Sequence, residues 1–194
     1  MGSVSVEVSQ GYVRFAGCCY LLIIALGLFS ETQVRGSLVA AGDAATTAAQ
    51  IGASAQLWRS GIVADLCMQL LDIPIIVLFY LLFKRVNAAL NLTATGFNLI
   101  QTAMLVANKL TLMLPLLLAG SGVYLTAFSA EQRDALAYVA IQLHGYGFAI
   151  GLLFFALACV IRGYLIIKSQ LFPKILGVML GLAGVCYLLN TLAL

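Results

Sequence analysis

Of the 194 residues, 63% are hydrophobic and only 9% are charged, against roughly 25% charged in a soluble domain. No water-soluble core hides that much apolar surface, so the composition implies a polytopic membrane protein. The net charge of +3 is small and dispersed, which argues against a nucleic-acid partner.

The N-terminal MGSVSVEVSQ lacks the basic region and cleavage site of a signal peptide, so the first apolar stretch is expected to be a retained helix. If ordered from Met1, that polar end needs something to hold it. The first span is expected over 12–32, with YLLIIALGLF as its apolar centre. Residues 36–56 are too weakly apolar to span. Gly42-Asp43 reads as a helix start with Asp43 as N-cap, and Ala44, Ala48, Ile51 and Ala55 share one face of a short interfacial helix. The second span, 58–83, carries Asp65 and Asp72 and is expected to kink at Pro74. The third runs over 88–118, the fourth over 134–167 and the fifth over 173–193, with Pro173 near its start. Gly177, Gly181 and Gly184 share a face of the fifth span, as do Gly147 and Gly151 on the fourth. Those small residues place the two spans in contact. The expected architecture is therefore all-α: a single transmembrane helical domain over 1–194, a five-span bundle with one interfacial helix.

Cationic residues set the expected orientation. Arg14, Lys84, Arg85, Lys168 and Lys174 fall on one side, with Arg162 just inside it. Arg35, Arg59 and Arg133 fall on the other, diluted by Glu31, Asp43, Glu131 and Asp134. The first group is expected to face the cytoplasm of a bacterial inner membrane, with the N-terminus inside. The sequon at Asn91-Leu92-Thr93 then lies on the cytoplasmic side and carries no weight.

Helical rise ranks the buried polar groups by depth. Asp72 comes roughly 18 Å from the cytoplasmic end of its span and Gln101 about 20 Å along the third. Asp65 and Asn108 come to roughly 28 and 30 Å. Asn98, Gln101 and Asn108 share a face, so two polar rungs are expected: Asp72 with Gln101, and Asp65 with Asn108, with Lys109 as a countercharge for Asp65. Near the outer boundary, Glu31, Asp65, Asn108, Lys109, His144 and Tyr146 are expected to converge on an outward-facing polar pocket, with Arg35 or Arg59 to engage an anionic head. The alternative is that these groups pair with one another and only lock helix packing; both readings stay open, because intramembrane ionisable residues are functional-site hypotheses by default.

Sharper chemistries fail on residue count. A haem between helices needs axial ligands, and there is one histidine. A zinc hydrolase needs more ligands than His144. Gly120-Ser121-Gly122 followed by His144 offers a Ser–His dyad, but reads better as a turn after the third span. A proton-coupled transporter using Asp72 beside a broken helix would be expected to show an internal repeat, and none is detectable. Five cysteines, Cys18, Cys19, Cys67, Cys159 and Cys186, lie in apolar segments without metal spacing and read as free thiols. Neither metal nor cofactor is expected, and a bound lipid is compatible with this reading.

The runs YLLIIALGLFSETQVRGSLVAAGDAATTA, RSGIVADL with the following Asp72, LHGYGFAIGLLFFALACVIRGYLI and LFPKILGVMLGLAGVCYLL together resemble a bacterial membrane-protein family. It is catalogued as a domain of unknown function, numbered four-three-eight-six. The resemblance covers nearly the whole chain and implies a multi-helix inner-membrane protein without assigning an activity. Members usually continue into a further helix, which would return the C-terminus to the cytoplasm. Two functional expectations remain: an accessory or structural subunit of a membrane assembly, with other subunits or further copies as partners, or a protein that binds or transports a small amphiphile, lipid or proton through the outer pocket.

Overall fold

The computed structural model describes residues 8–193, and the expectation that the polar N-terminus is held falls on residues outside that range. Among the described residues every regular element is helical. α1 spans Gln10–Leu38, α3 Ala55–Phe83, α4 Ala88–Leu118, α5 Ala130–Ser169 and α6 Lys174–Leu192, and these five are long and apolar enough to cross a membrane. The sixth helix, α2, spans Ala44–Ala53, and a 3-10 turn covers Val123–Ala127. The bundle is all-α and the protein is a multipass membrane protein.

Boundaries follow local chemistry. α1 runs on past the expected Thr32 because its chain loosens into a π-helical stretch, Phe29–Arg35, and closes with a final α-turn, Gly36–Leu38. The Gly36 amide donates to the Glu31 carbonyl, an i to i−5 bond that absorbs one extra residue. Gly42 then takes a left-handed φ of 77°, a conformation that favours glycine. Asp43 caps α2 as expected, accepting from the Thr46 amide at 2.9 Å and its hydroxyl at 2.6 Å. These bonds hold its carboxyl below the usual carboxylate range. The cap therefore acts above the ordinary Asp pKa and is lost as pH falls through the lowered one. α3 continues through Pro74, whose carbonyl accepts the Tyr12 hydroxyl at 3.0 Å. α4 passes through a second proline, Pro115. At 40 residues, α5 is roughly 60 Å long and outlasts a hydrocarbon core of about 30 Å.

Contacts divide the chain into two compact units. Unit 1 holds the chain to Leu21, Leu71–Leu105 and Phe148–Leu194; unit 2 holds Leu22–Leu70 and Val106–Gly147. Unit 2 is centred on Trp58, 1% exposed, packed with Val34, Leu38, Ile51, Ile62 and Leu112. Its indole N–H donates to the Leu112 carbonyl at 2.8 Å, as a buried indole must find an acceptor. Ile51 belongs to that cluster and Thr47 is fully buried, so α2 packs by its Thr47–Ile51 face. The Gly42 amide donates to the Tyr138 hydroxyl at 2.8 Å, tying the loop before α2 to α5.

In unit 1 the α5–α6 contact rests on glycine, but on different glycines from those expected for α5. A Cβ on Gly163 would lie 2.6 Å from the Gly177 carbonyl and 2.9 Å from the Gly181 amide. One on Gly184 would lie 2.8 Å from the Ala156 carbonyl. Gly147 and Gly151 instead admit α4 side chains, Asn108 and Leu105 respectively. In lipid, association rests on such close backbone packing rather than on expulsion of water. Gly163→Ala is therefore expected to destabilise the protein by about 1–3 kcal/mol. Gly181→Ala, whose Cβ meets nothing within 4 Å, should stay within about 1 kcal/mol of the parent. Thermal unfolding in mild detergent compares them, and equal losses would refute the contact.

Candidate functional site: a paired charge network and an open apolar cleft

The outer polar residues meet in unit 2, where they form a closed network. Asp65 on α3 accepts from Arg35 Nη1 at 2.8 Å and from Lys109 Nζ at 2.9 Å, both on Oδ2. Arg35 Nη2 reaches Oδ1 at 3.5 Å. Arg35 Nε donates to Glu31 at 2.9 Å, one turn back on α1. Two carboxylates thus face two cations, and the cluster is neutral as a whole. Side-chain exposure falls from 72% at Glu31 through 18% at Arg35 to 4–6% at Asp65 and Lys109. The π-helical stretch carries Ser30, Glu31, Val34 and Arg35 to α3: the Ser30 hydroxyl donates to the Gly61 carbonyl at 3.2 Å. Gly61 is needed there, because a Cβ would sit 2.8 Å from Val34 Cγ1.

Lys109, expected as a countercharge, is the direct partner of Asp65. The expected Asp65–Asn108 rung is not formed, since one residue along a helix turns the side chain by about 100°. Asn108 turns to α5 instead. Its Nδ2 donates to the His144 carbonyl at 2.8 Å and lies 3.1 Å from His144 Nδ1. The carbonyl contact fixes the amide orientation, and His144 Nδ1 also lies 3.4 Å from the Asn108 carbonyl oxygen. Gly147 permits this approach, since any Cβ there would collide with the Asn108 amide. Two expected members stand apart. Arg59 is exposed and among the described residues donates to Gln56 Oε1 at 3.5 Å; Tyr146 is 55% exposed.

The residues expected at mid-membrane depth, Asp72, Asn98 and Gln101, belong to unit 1, where the expected Asp72–Gln101 rung is replaced by its neighbour. Thr102 donates to Asp72 Oδ2 at 2.9 Å, while Gln101 accepts from Asn98 Nδ2 at 3.1 Å along the same helix. Asp72 and Asn98 line a cleft of about 490 Å³, within the about 300–1,000 Å³ typical of small-molecule sites. Its walls are mostly apolar, including Ala16 and Gly17 of α1, Phe79 of α3 and Phe155 of α5. Arg162 of α5, which the sequence reading used only as an orientation signal, lines it too. Its guanidinium stacks on Phe79, 4.8 Å from the ring centre. It is 6% exposed, and among the described residues its Nε and Nη2 have no hydrogen-bond partner. The sequence did hold the signal: Arg162 precedes Lys168 by six residues, which puts it roughly 9 Å inside the end of its span.

None of the residues expected for the outer pocket lines this cleft. Among the described residues no group of three or more His, Cys, Asp or Glu is placed to hold a metal, and the five cysteines are free thiols. What the arrangement offers chemically is a satisfied ionic lock in unit 2 and an apolar space with an open cationic donor in unit 1. Removing one member of the lock separates its role from a binding role. Asp65→Asn is expected to cost about 3–5 kcal/mol, because it leaves the buried Lys109 without its carboxylate while Arg35 keeps only Glu31. Glu31→Gln, on an exposed carboxylate, should cost less than about 1 kcal/mol. Unfolding midpoints of the two variants read this directly, and a tolerated Asp65→Asn would show that the lock does not carry stability.

Residues 15–194 match the family described as Domain of unknown function (DUF4386). No curated protein and no solved structure matches the chain. The match takes in all the motifs from the apolar centre of α1 to the glycines of α6, so the chain belongs to the DUF4386 family.

Proposed function

We propose that this protein is a non-catalytic membrane protein that holds a small amphiphile dissolved in the bilayer, bound in the unit 1 cleft. One observation carries the reading: an apolar cleft of ligand size that contains a buried guanidinium with unmet donors. Tyr20 and Leu21 line the cleft and are themselves 56% and 67% exposed, so an amphiphile has a route in from the lipid. The polar pocket expected from Glu31, Asp65 and His144 is less suited to a ligand, because Arg35 and Lys109 are already paired with carboxylates and Arg59 stands apart on Gln56. That closed network supports a structural role for those residues, and with it the second reading, an accessory subunit of a larger membrane assembly or a homo-oligomer. For orientation we infer that the ends carrying Lys84, Arg85, Lys168 and Lys174 face the cytoplasm of a bacterial inner membrane, from the asymmetry of basic residues.

Native mass spectrometry of protein extracted gently from its own membrane tests the first reading. A single bound mass of amphiphile size is expected, and it should vanish in Gly17→Leu. Gly17 lines the cleft with open space where its Cβ would stand, so a larger side chain fills the cleft without striking backbone. An empty protein travelling in fixed ratio with larger subunits would instead establish the accessory role. The orientation is checked with single cysteines in a variant lacking the five native ones. Ser121→Cys is expected to react with an impermeant maleimide applied from the periplasm, and Ser169→Cys to stay unreactive; the opposite pattern inverts the topology.

A further inference from the structure

The chemistry of the cleft narrows the class of ligand, on the premise that the cleft is a binding site. Arg162 lines it at 6% exposure, and the two nitrogens without partners, Nε and Nη2, form one edge of the guanidinium. Two parallel N–H groups on that edge match the two oxygens of a planar carboxylate. Buried donors left without acceptors are costly in any apolar medium, and more so where no bulk water can serve them. Phe79 covers one face of the guanidinium, which leaves the edge for a hydrogen-bonding partner. The carboxylate nearest in chemistry, Asp72, is engaged by the Thr102 hydroxyl and makes no hydrogen bond to those two nitrogens.

We infer that the unit 1 cleft takes a single-chain acyl carboxylate, its head bound side-on by Arg162 and its chain lying along the apolar walls. Charge balance favours this class over a phosphate. Into a space that already contains Asp72 beside Arg162, a carboxylate brings one further negative charge and a phosphate monoester dianion brings two, so the carboxylate leaves the smaller excess. The mostly apolar lining, with Ala16, Gly17 and Phe155 among it, offers dispersion contacts to an alkyl chain, and its polar groups are few: Asp72, Asn98, Arg162, the Tyr20 hydroxyl and the Cys159 thiol. An aliphatic amine has Asp72 as its only charged partner, and it would leave the Arg162 donors unserved.

The test uses the full-length protein in phosphatidylcholine nanodiscs, titrated with oleate, oleyl alcohol, oleylamine and oleyl phosphate. The parent is expected to bind oleate about ten- to a hundred-fold more tightly than oleyl alcohol, the range set by hydrogen bonds to a charged group. Arg162→Gln should bring the two to equal affinity, and Arg162→Lys should restore part of the preference because charge returns without the two-donor edge. The head-group inference is overturned if oleate and oleyl alcohol bind the parent equally, if oleylamine or oleyl phosphate binds more tightly than oleate, or if the preference survives in Arg162→Gln. The alkyl series in the parent decides the matter even if the variants fold poorly. Failure of the underlying reading is distinguishable: then no oleyl compound binds saturably, and Gly17→Leu behaves as the parent.

Discussion

A buried carboxylate keeps its charge most readily where cations answer it, and Asp65 is answered twice. Arg35 arrives from α1 and Lys109 from α4, each within 3 Å of the same oxygen. Glu31 supplies the second negative charge, so the four side chains sum to zero. Much of unit 2 can be understood from that requirement. The π-helical stretch of α1 carries Arg35 to α3, and Gly61 lets α1 lie close enough for the pair to form. Gly147 lets Asn108 bond across to α5, beside the lysine that Asp65 needs. Buried pairs contribute less net stability than their Coulomb energy suggests, because desolvation offsets it. Their stronger effect is on specificity, since a slip of one residue along any of these helices strands a charge.

Unit 1 resolves its polar groups differently. Thr102 serves Asp72 and Gln101 serves Asn98 through single hydrogen bonds, but the Asn98 carbonyl oxygen and two Arg162 nitrogens are left without partners. Cation–π contact with Phe79 offsets part of the cost and directs the guanidinium edge elsewhere. Native structures seldom leave buried donors unmet without a reason. A cleft beside those donors provides one, and the same apolar walls that make an orphan guanidinium costly make a bound carboxylate strongly held.

Architecture was legible because membrane helices announce themselves by length and composition. All five spans and the Asp43 cap of α2 were readable, with α4 placed at its observed limits. The misses have a common physical origin. Helical wheels resolve faces but not single positions, so Asp65 was given an Asn108 rung beside its Lys109 countercharge, of which only the lysine pairs with it, and Asp72 was assigned to Gln101 instead of Thr102. The π-helical stretch added a residue to a turn and extended α1 beyond Thr32, which no hydropathy pattern encodes. Gly163 was overlooked because it lies apart from the Gly147–Gly151 pair, although it is the α5 glycine that meets α6. Arg162 was absorbed into the orientation argument; its significance depends on which nitrogens find partners, and that is a property of packing.

Asp65 and Asp72 stand two turns apart on one helix, with nothing in local sequence to rank them. Their partners separate them. Asp65 joins two cations that no other carboxylate in the network bridges, so substituting it strands Lys109. Asp72 holds one hydroxyl and borders open space, so its carboxylate influences whatever enters that space. A buried ionisable residue thus marks function when the groups around it are left unsatisfied, and marks architecture when they are closed. By that criterion the residue proposed here to bind a ligand is the α5 cation Arg162, with Asp72 at its cleft, whereas Asp65 belongs to the architecture of unit 2.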